Sequence, residues 1–381
     1  MPYSPEQLVR SRVMQLPAYK RPPRPEALAR EQGVARIARL GLNENPLGPS
    51  PGALREVRRF LRRIHEYPDG ASALLKEKLA ADLGVEADQI ATSNGADDIL
   101  LLLGQIFVDE GDQCIIPAPS FPIYTRSVRL MGGRPIFSPL RNHTIDLNDI
   151  RARITAETKV IFLCNPNNPT GTILTRAVLD EFMGRLPDRL VVILDEAYRE
   201  FVTHAEFPDG LAYLQQGKPV VVVRTFSKIA GLAGIRLGYA VGHPAFAEAI
   251  DRVRNPFNVN ILAQAAGLGA LRDKAFTKKT LKTTVQERDW LAAEFHRLGL
   301  EPIPSETNFV CVDVRQDGEP VAEHLLTCGI QVRSCGIFTM PNHIRISVGT
   351  HRENARVIRV LAGFLAGSPA RARRTARGRR R

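Results

Sequence analysis

The chain has 381 residues, of which 44% are apolar, enough for one large globular unit or two domains. Its formal charge is +12, but residues 368–381 hold seven arginines and no acid, so more than half of the surplus is local and no specific nucleic-acid partner is implied. No apolar run reaches the roughly 18–20 residues of a membrane span; residues 1–6 start no apolar leader; and five scattered cysteines without CxxC spacing indicate neither a zinc site nor a disulfide framework, which fits a reducing cytosol.

Residues 1–35 read as an extended arm, with prolines at 17, 22, 23 and 25 and Tyr19 among them. From about 72 to 255, short apolar runs alternate with helical stretches. The runs are 89–93, 113–116, 134–137, 159–164, 189–194, 220–224 and 237–241. This βα alternation predicts a mostly parallel sheet with helices on both faces.

After the first run, Gly95, Ala96, Asp97 and Asp98 open a helix expected over 99–106. Free N–H groups at a helix start bind anions, and Gly95 permits close approach. Asp97 and Asp98 also suit a first helical turn for purely local reasons. Phe121 follows the second run as a ring-stacking candidate or a core aromatic. The fourth run enters a turn, 165–171, with three asparagines, two prolines and a glycine. Such a turn is rigid, and Asn168 within it can donate a hydrogen bond to a ligand.

The fifth run leads straight into Asp195, with Tyr198 three residues on. An acid at the carboxyl end of a buried strand lies where open α/β sheets bind ligands. It is also where a helix N-cap would stand. The sixth run leads to Thr225, Ser227 and Lys228, then Gly231, Gly234 and Arg236. A lysine just past a core strand has a reason to be there when desolvation frees its amine for attack on a carbonyl. Hydroxyls and an arginine are the groups that hold a phosphate. A Schiff-base lysine beside a phosphate cup points to pyridoxal phosphate, with Asp195 as the partner that keeps the pyridine nitrogen protonated. The alternative is a surface turn with an incidental lysine.

Residues 254–257 punctuate the chain as a hinge. Helical periodicity follows from 261 to about 298, marked by Leu281, Val285, Leu291 and Phe295. The segments 308–313, 330–333 and 343–348 read as strands of a smaller α/β domain. No internal repeat is present.

Segments 42–51, 67–70, 165–171, 195–198, 225–236 and 342–350 occur in the order found in fold-type I pyridoxal phosphate enzymes. The chain resembles the class I/II aminotransferase group, and within it the histidinol-phosphate aminotransferases. The resemblance implies an N-terminal arm and part of a small domain at 1–45, a large cofactor-binding domain at 46–255, a small C-terminal domain at 256–366, and a disordered arginine-rich tail at 367–381. It implies that Lys228 carries the cofactor and moves protons, that Asp195 pairs with the pyridinium, and that Asn168 and Tyr198 meet the ring oxygen. Gly95, Ala96, Asp97, Thr225, Ser227 and Arg236 would hold the phosphate, with Phe121 on the ring. Tyr67 would reach the neighbouring subunit's cofactor, so a homodimer with shared sites is implied. Arg345, Arg333, Tyr19, Asn43 and Asn45 fall on substrate-binding positions. No metal is implied.

The expected reaction is transamination, with histidinol phosphate and 2-oxoglutarate giving imidazole-acetol phosphate and glutamate. Two features keep alternatives open. Phe121 stands where relatives often have tyrosine, and residues 333–340 depart from the usual run. An aromatic amino-acid aminotransferase or a threonine-phosphate decarboxylase-like enzyme would share these motifs.

Overall fold

The computed structural model describes residues 5–18 and 23–367. Tyr19 and the arginine-rich tail lie outside the described residues.

A two-residue strand, β1 (Ala38–Arg39), follows the arm. The large sheet comprises β2 (Ile90–Ser93), β3 (Gln113–Ala118), β4 (Arg134–Pro139), β5 (Thr158–Cys164), β6 (Val191–Asp195), β7 (Val220–Thr225) and β8 (Gly238–Val241). Their order is β2-β8-β7-β6-β5-β3-β4. The pairs β4/β3, β3/β5, β5/β6 and β6/β7 are parallel; β8 runs antiparallel to both β7 and β2.

The central strands are apolar at nearly every position because both faces are covered. Alternation divides the side chains between two cores. Ile161, Leu163, Val192, Leu194, Val220 and Val222 enter one. Val160, Phe162, Val191, Ile193, Val221 and Val223 enter the other.

The smaller sheet has the order β12-β13-β10-β9, all antiparallel, from β9 (Glu301–Pro302), β10 (Phe309–Asp313), β12 (Arg333–Ser334) and β13 (His343–Ser347). The remaining strand, β11 (Ile330–Gln331), pairs in parallel with β1. The single strand expected over 330–333 is therefore two strands in two sheets. Two separate partner edges, β1 and β13, capture its halves.

The helix expected over 261–298 is also two, Ile261–Arg272 and Lys274–Arg297. Asp273 breaks it with a non-helical backbone. Its Oδ1 accepts from Phe276 N at 3.2 Å, and its Oδ2 accepts from Ser50 Oγ and Gly52 N at 2.8 Å each. The first of the two helices packs through Ala263, Ala266 and Ala270 into the large-sheet core. The helix Ala96–Phe107 begins three residues before the expected start, which brings Ala96 and Asp97 into its first turn. Among the described residues, no helix is long and apolar enough to cross a membrane.

Candidate active site

A cavity of about 620 Å³ opens beyond the carboxyl ends of β5, β6 and β7, and Arg333, Phe338 and Arg345 reach it from the smaller sheet. Parallel strands end together, so Cys164 and Asp195 stand side by side in register. Thr225 ends the neighbouring strand. This is the place where open α/β sheets bind ligands.

Lys228 lines the cavity, and its Nζ donates to the Leu42 carbonyl at 3.2 Å. Burial foremost, then the Arg345 charge, lowers its pKa to about 8. The turn that carries it is fixed on both sides. Ser227 N donates to Thr225 Oγ1 at 3.0 Å. Asn45 Nδ2 donates to the carbonyls of Lys228 and Ile229 at 3.2 and 3.0 Å. Asn45 thus holds the lysine's backbone and is not among the residues that line the cavity.

Asp195 is buried. Its Oδ2 accepts from the Tyr124 hydroxyl at 2.6 Å and its Oδ1 from Ala197 N at 3.0 Å. Burial pushes its pKa up to about 6 against those two donors. Both partners are neutral, so the carboxylate is suited to a cationic ligand atom.

The anion cradle lies at the start of the helix Ala96–Phe107. Gly95 has φ +94° and ψ 164°, and a Cβ there would lie 2.6 Å from Arg236 Nη2. Arg236 itself takes φ +59° and lies 3.7 Å from Asp97 Oδ2. Ala96, Asp97, Thr225 and Ser227 line the same cavity as Arg236. Phe121 also lines the cavity, edge-on to Tyr124 at 5.9 Å.

Arg345 is buried between the rings of Phe309 and Phe338, its Cζ 5.1 and 5.8 Å from their centroids. One Nη donates to Asn168 Oδ1 and the other to Gly41 O at 3.0 Å. Its Nε is buried and unpartnered. Arg333 stands directly opposite Arg345 in the β12/β13 register. Asn43 Nδ2 donates to the Tyr198 hydroxyl at 2.9 Å, and Asn308 and Ser347 pin Asn43 in turn. Burial raises the Tyr198 pKa, so its hydroxyl stays protonated.

Tyr67 is 82% exposed and stacks on Phe257 at 4.6 Å, outside the cavity of its own chain.

The profile of the family described as "Aminotransferase class I and II" matches residues 35–361. The chain belongs to the class I and II aminotransferases. It is 44% identical over 342 residues to a histidinol-phosphate aminotransferase of Moorella thermoacetica, covering 90% of this chain and 89% of that protein. It is 41% identical to one of Symbiobacterium thermophilum, covering 94% and 98%. The crystal structure of histidinol-phosphate aminotransferase from Sinorhizobium meliloti in complex with pyridoxal-5'-phosphate superposes with a TM-score of 0.87 at 30% identity, covering 94% of this chain and 98% of that one.

For an aminotransferase of this class, the residues in the cavity fit pyridoxal phosphate. A depressed-pKa lysine, a carboxylate with only neutral partners, and a glycine cradle under an arginine suit its aldehyde, ring nitrogen and phosphate. Two buried pairings, one at the site and one beneath it, escaped the sequence reading. Tyr124 gave only the faint sign of lying one helical turn beyond Phe121. The buried pair of Glu196 and Arg224, joined at 2.7 Å, gave a better one: a charge inside an apolar strand needs a partner.

Proposed function

We propose that this aminotransferase binds pyridoxal phosphate and transfers the amino group of histidinol phosphate to 2-oxoglutarate. The observation that carries the substrate is the pair Arg333 and Arg345, facing one cavity from adjacent strands above Lys228. A phosphate-bearing amine and a dicarboxylic acid each need such cationic anchors. The relatives named for histidinol phosphate support the same reading.

When bound, the cofactor supplies an electron-accepting ring conjugated to the substrate nitrogen. Lys228 provides the amine that holds the cofactor between turnovers and, once released, carries a proton to and from the substrate Cα. Its low pKa keeps a usable share of free amine near neutral pH. Asp195, steadied by Tyr124, holds the ring nitrogen's proton. The first-turn N–H groups, Ser227, Thr225 and Arg236 retain the phosphate. Arg345 fixes the Asn168 carbonyl, so the amide's NH2 end is the one offered to the ring oxygen. Asn43 orients the Tyr198 hydroxyl toward the same oxygen.

The active form is a homodimer in the cytosol, with Tyr67 of each subunit completing the other's phosphate site. The exposure of Tyr67 and of its neighbours Ile64 and Phe257 supports this arrangement.

Single-turnover spectroscopy of the pyridoxal phosphate form tests the substrate. Histidinol phosphate should convert the enzyme to its pyridoxamine phosphate form faster than phenylalanine, tyrosine or threonine phosphate. Faster conversion by phenylalanine or tyrosine would move the assignment to aromatic transamination. Release of carbon dioxide from threonine phosphate would make it a decarboxylase.

A further inference from the structure

Two thiols lie under the segment that carries Arg333. Cys311 is in the middle of β10, held between β9 and β13, and its register partner on β13 is Arg345. Cys335 follows β12 and precedes the short turn Gly336–Phe338. Both side chains are fully buried, in a small cluster with Ile303, Phe338 and Met340. Their sulfurs are 4.0 Å apart. A disulfide needs about 2.05 Å, so a closure of about 2 Å separates the two states.

We propose that Cys311 and Cys335 form a reversible disulfide that pulls the 333–338 segment toward β10 and weakens binding of the anionic substrate. Cys311 belongs to a strand paired on both sides, so it stays in place. Cys335 is the one that moves: its N–H is tied to the His343 carbonyl at 2.9 Å, but the residues after it, Gly336 and Ile337, are exposed and closed by turn bonds such as Phe338 N to Cys335 O at 2.9 Å. Arg333 lies two residues upstream, and Phe338 covers the Arg345 guanidinium three residues downstream. The effect on substrate rests on the reading of Arg333 and Arg345 as its anchors.

The chemistry assigns the order of attack. The hydrogen bond between the thiols draws the Cys335 pKa down and pushes that of Cys311 up, which makes Cys335 the nucleophile. Opening of the turn exposes it. The Cys335 thiolate attacks one sulfur of a small disulfide, RSSR, and expels RS⁻. The Cys311 sulfur then attacks Cys335 Sγ and expels the second RS⁻. The two protons released by the protein thiols go to the leaving groups. One RSSR becomes two RSH, and the protein loses two electrons. In a reducing compartment the thiols persist.

The test uses the full-length, cofactor-loaded enzyme equilibrated with glutathione disulfide. The intact mass should fall by two hydrogens, and peptide mapping should join Cys311 to Cys335. KM for histidinol phosphate and for glutamate should rise about tenfold, the scale of one lost charge-assisted contact. Dithiothreitol should restore it, and Cys311→Ser should abolish both changes. If both cysteines still react with an alkylating agent after oxidation and denaturation, the proposal fails. It also fails if the disulfide forms and KM does not move. Should histidinol phosphate prove not to be a substrate, the mapping and the glutamate KM still decide the disulfide separately.

Discussion

The Tyr124 hydroxyl donates to Oδ2 of Asp195 at 2.6 Å, and both side chains are buried. The tyrosine favours the ionised carboxylate that a protonated ring nitrogen requires, whereas burial opposes it. The carboxyl therefore sits at about 6 in the protein without cofactor, against 3.8 when free.

That upward shift has a definite sign for stability. Between pH 3.8 and 6 the folded state binds more protons at Asp195 than the unfolded state does, so stability falls as pH rises through this window. Above it the cost is on the order of 3 kcal/mol. Asp195→Asn should make the cofactor-free protein more stable than wild type at pH 7–8, with the gain vanishing near pH 4. Urea unfolding at several pH values measures this. The same variant should slow turnover severely while retaining cofactor.

Lys228 gives the opposite sign. Burial and Arg345 hold its pKa near 8 instead of 10.5, so its free-amine fraction rises with pH through about 8. The rate of covalent cofactor attachment, followed by absorbance, should rise over the same range. Arg345→Ala removes a charge that disfavours the ammonium, so the profile should move to higher pH. Lys228→Ala should lose borohydride-stable attachment and turnover altogether.

Gly95→Ala should weaken cofactor binding about tenfold or more. Its φ/ψ pair is nearly confined to glycine and costs other residues on the order of 1–3 kcal/mol. The added methyl would also press on the Arg236 guanidinium at 2.6 Å. Equilibrium dialysis against pyridoxal phosphate checks both effects together.

Glu196→Gln should destabilise the fold by about 3 kcal/mol, because Arg224 would be left as a poorly compensated buried charge. The Glu196 carboxylate accepts from Arg224 Nε at 2.8 Å and from Gly210 N at 3.0 Å. Denaturant unfolding at pH 7 should show the loss, with cofactor affinity little changed in the remaining folded protein.

Mixing Tyr67→Phe subunits with Lys228→Ala subunits tests the shared site. Each parent should be poorly active. Random reassortment should restore about a quarter of wild-type activity, since half the dimers are hybrids with one intact site. No recovery after verified subunit exchange would place Tyr67 outside the partner's site.

The sequence by itself determined the residues whose position follows from a strand's end. Asp195, Lys228, Asn168 and the Gly95 cradle were legible because apolar runs stop where parallel strands must stop, and polar residues crowded at those stops have few structural uses. Family motifs then gave them roles. Only the tertiary structure decided the partners. Tyr124 meets Asp195 across 71 residues and Asn43 meets Tyr198 across 155, and no local pattern encodes such pairings. The same holds for the split of 330–333 between two sheets, the antiparallel course of β8, and the bonds from Asn45 to the lysine's backbone. The physical reason is common to all of them. Periodicity reports which face of a segment is buried, whereas a hydrogen bond or strand edge goes to whichever group packing brings within about 3 Å.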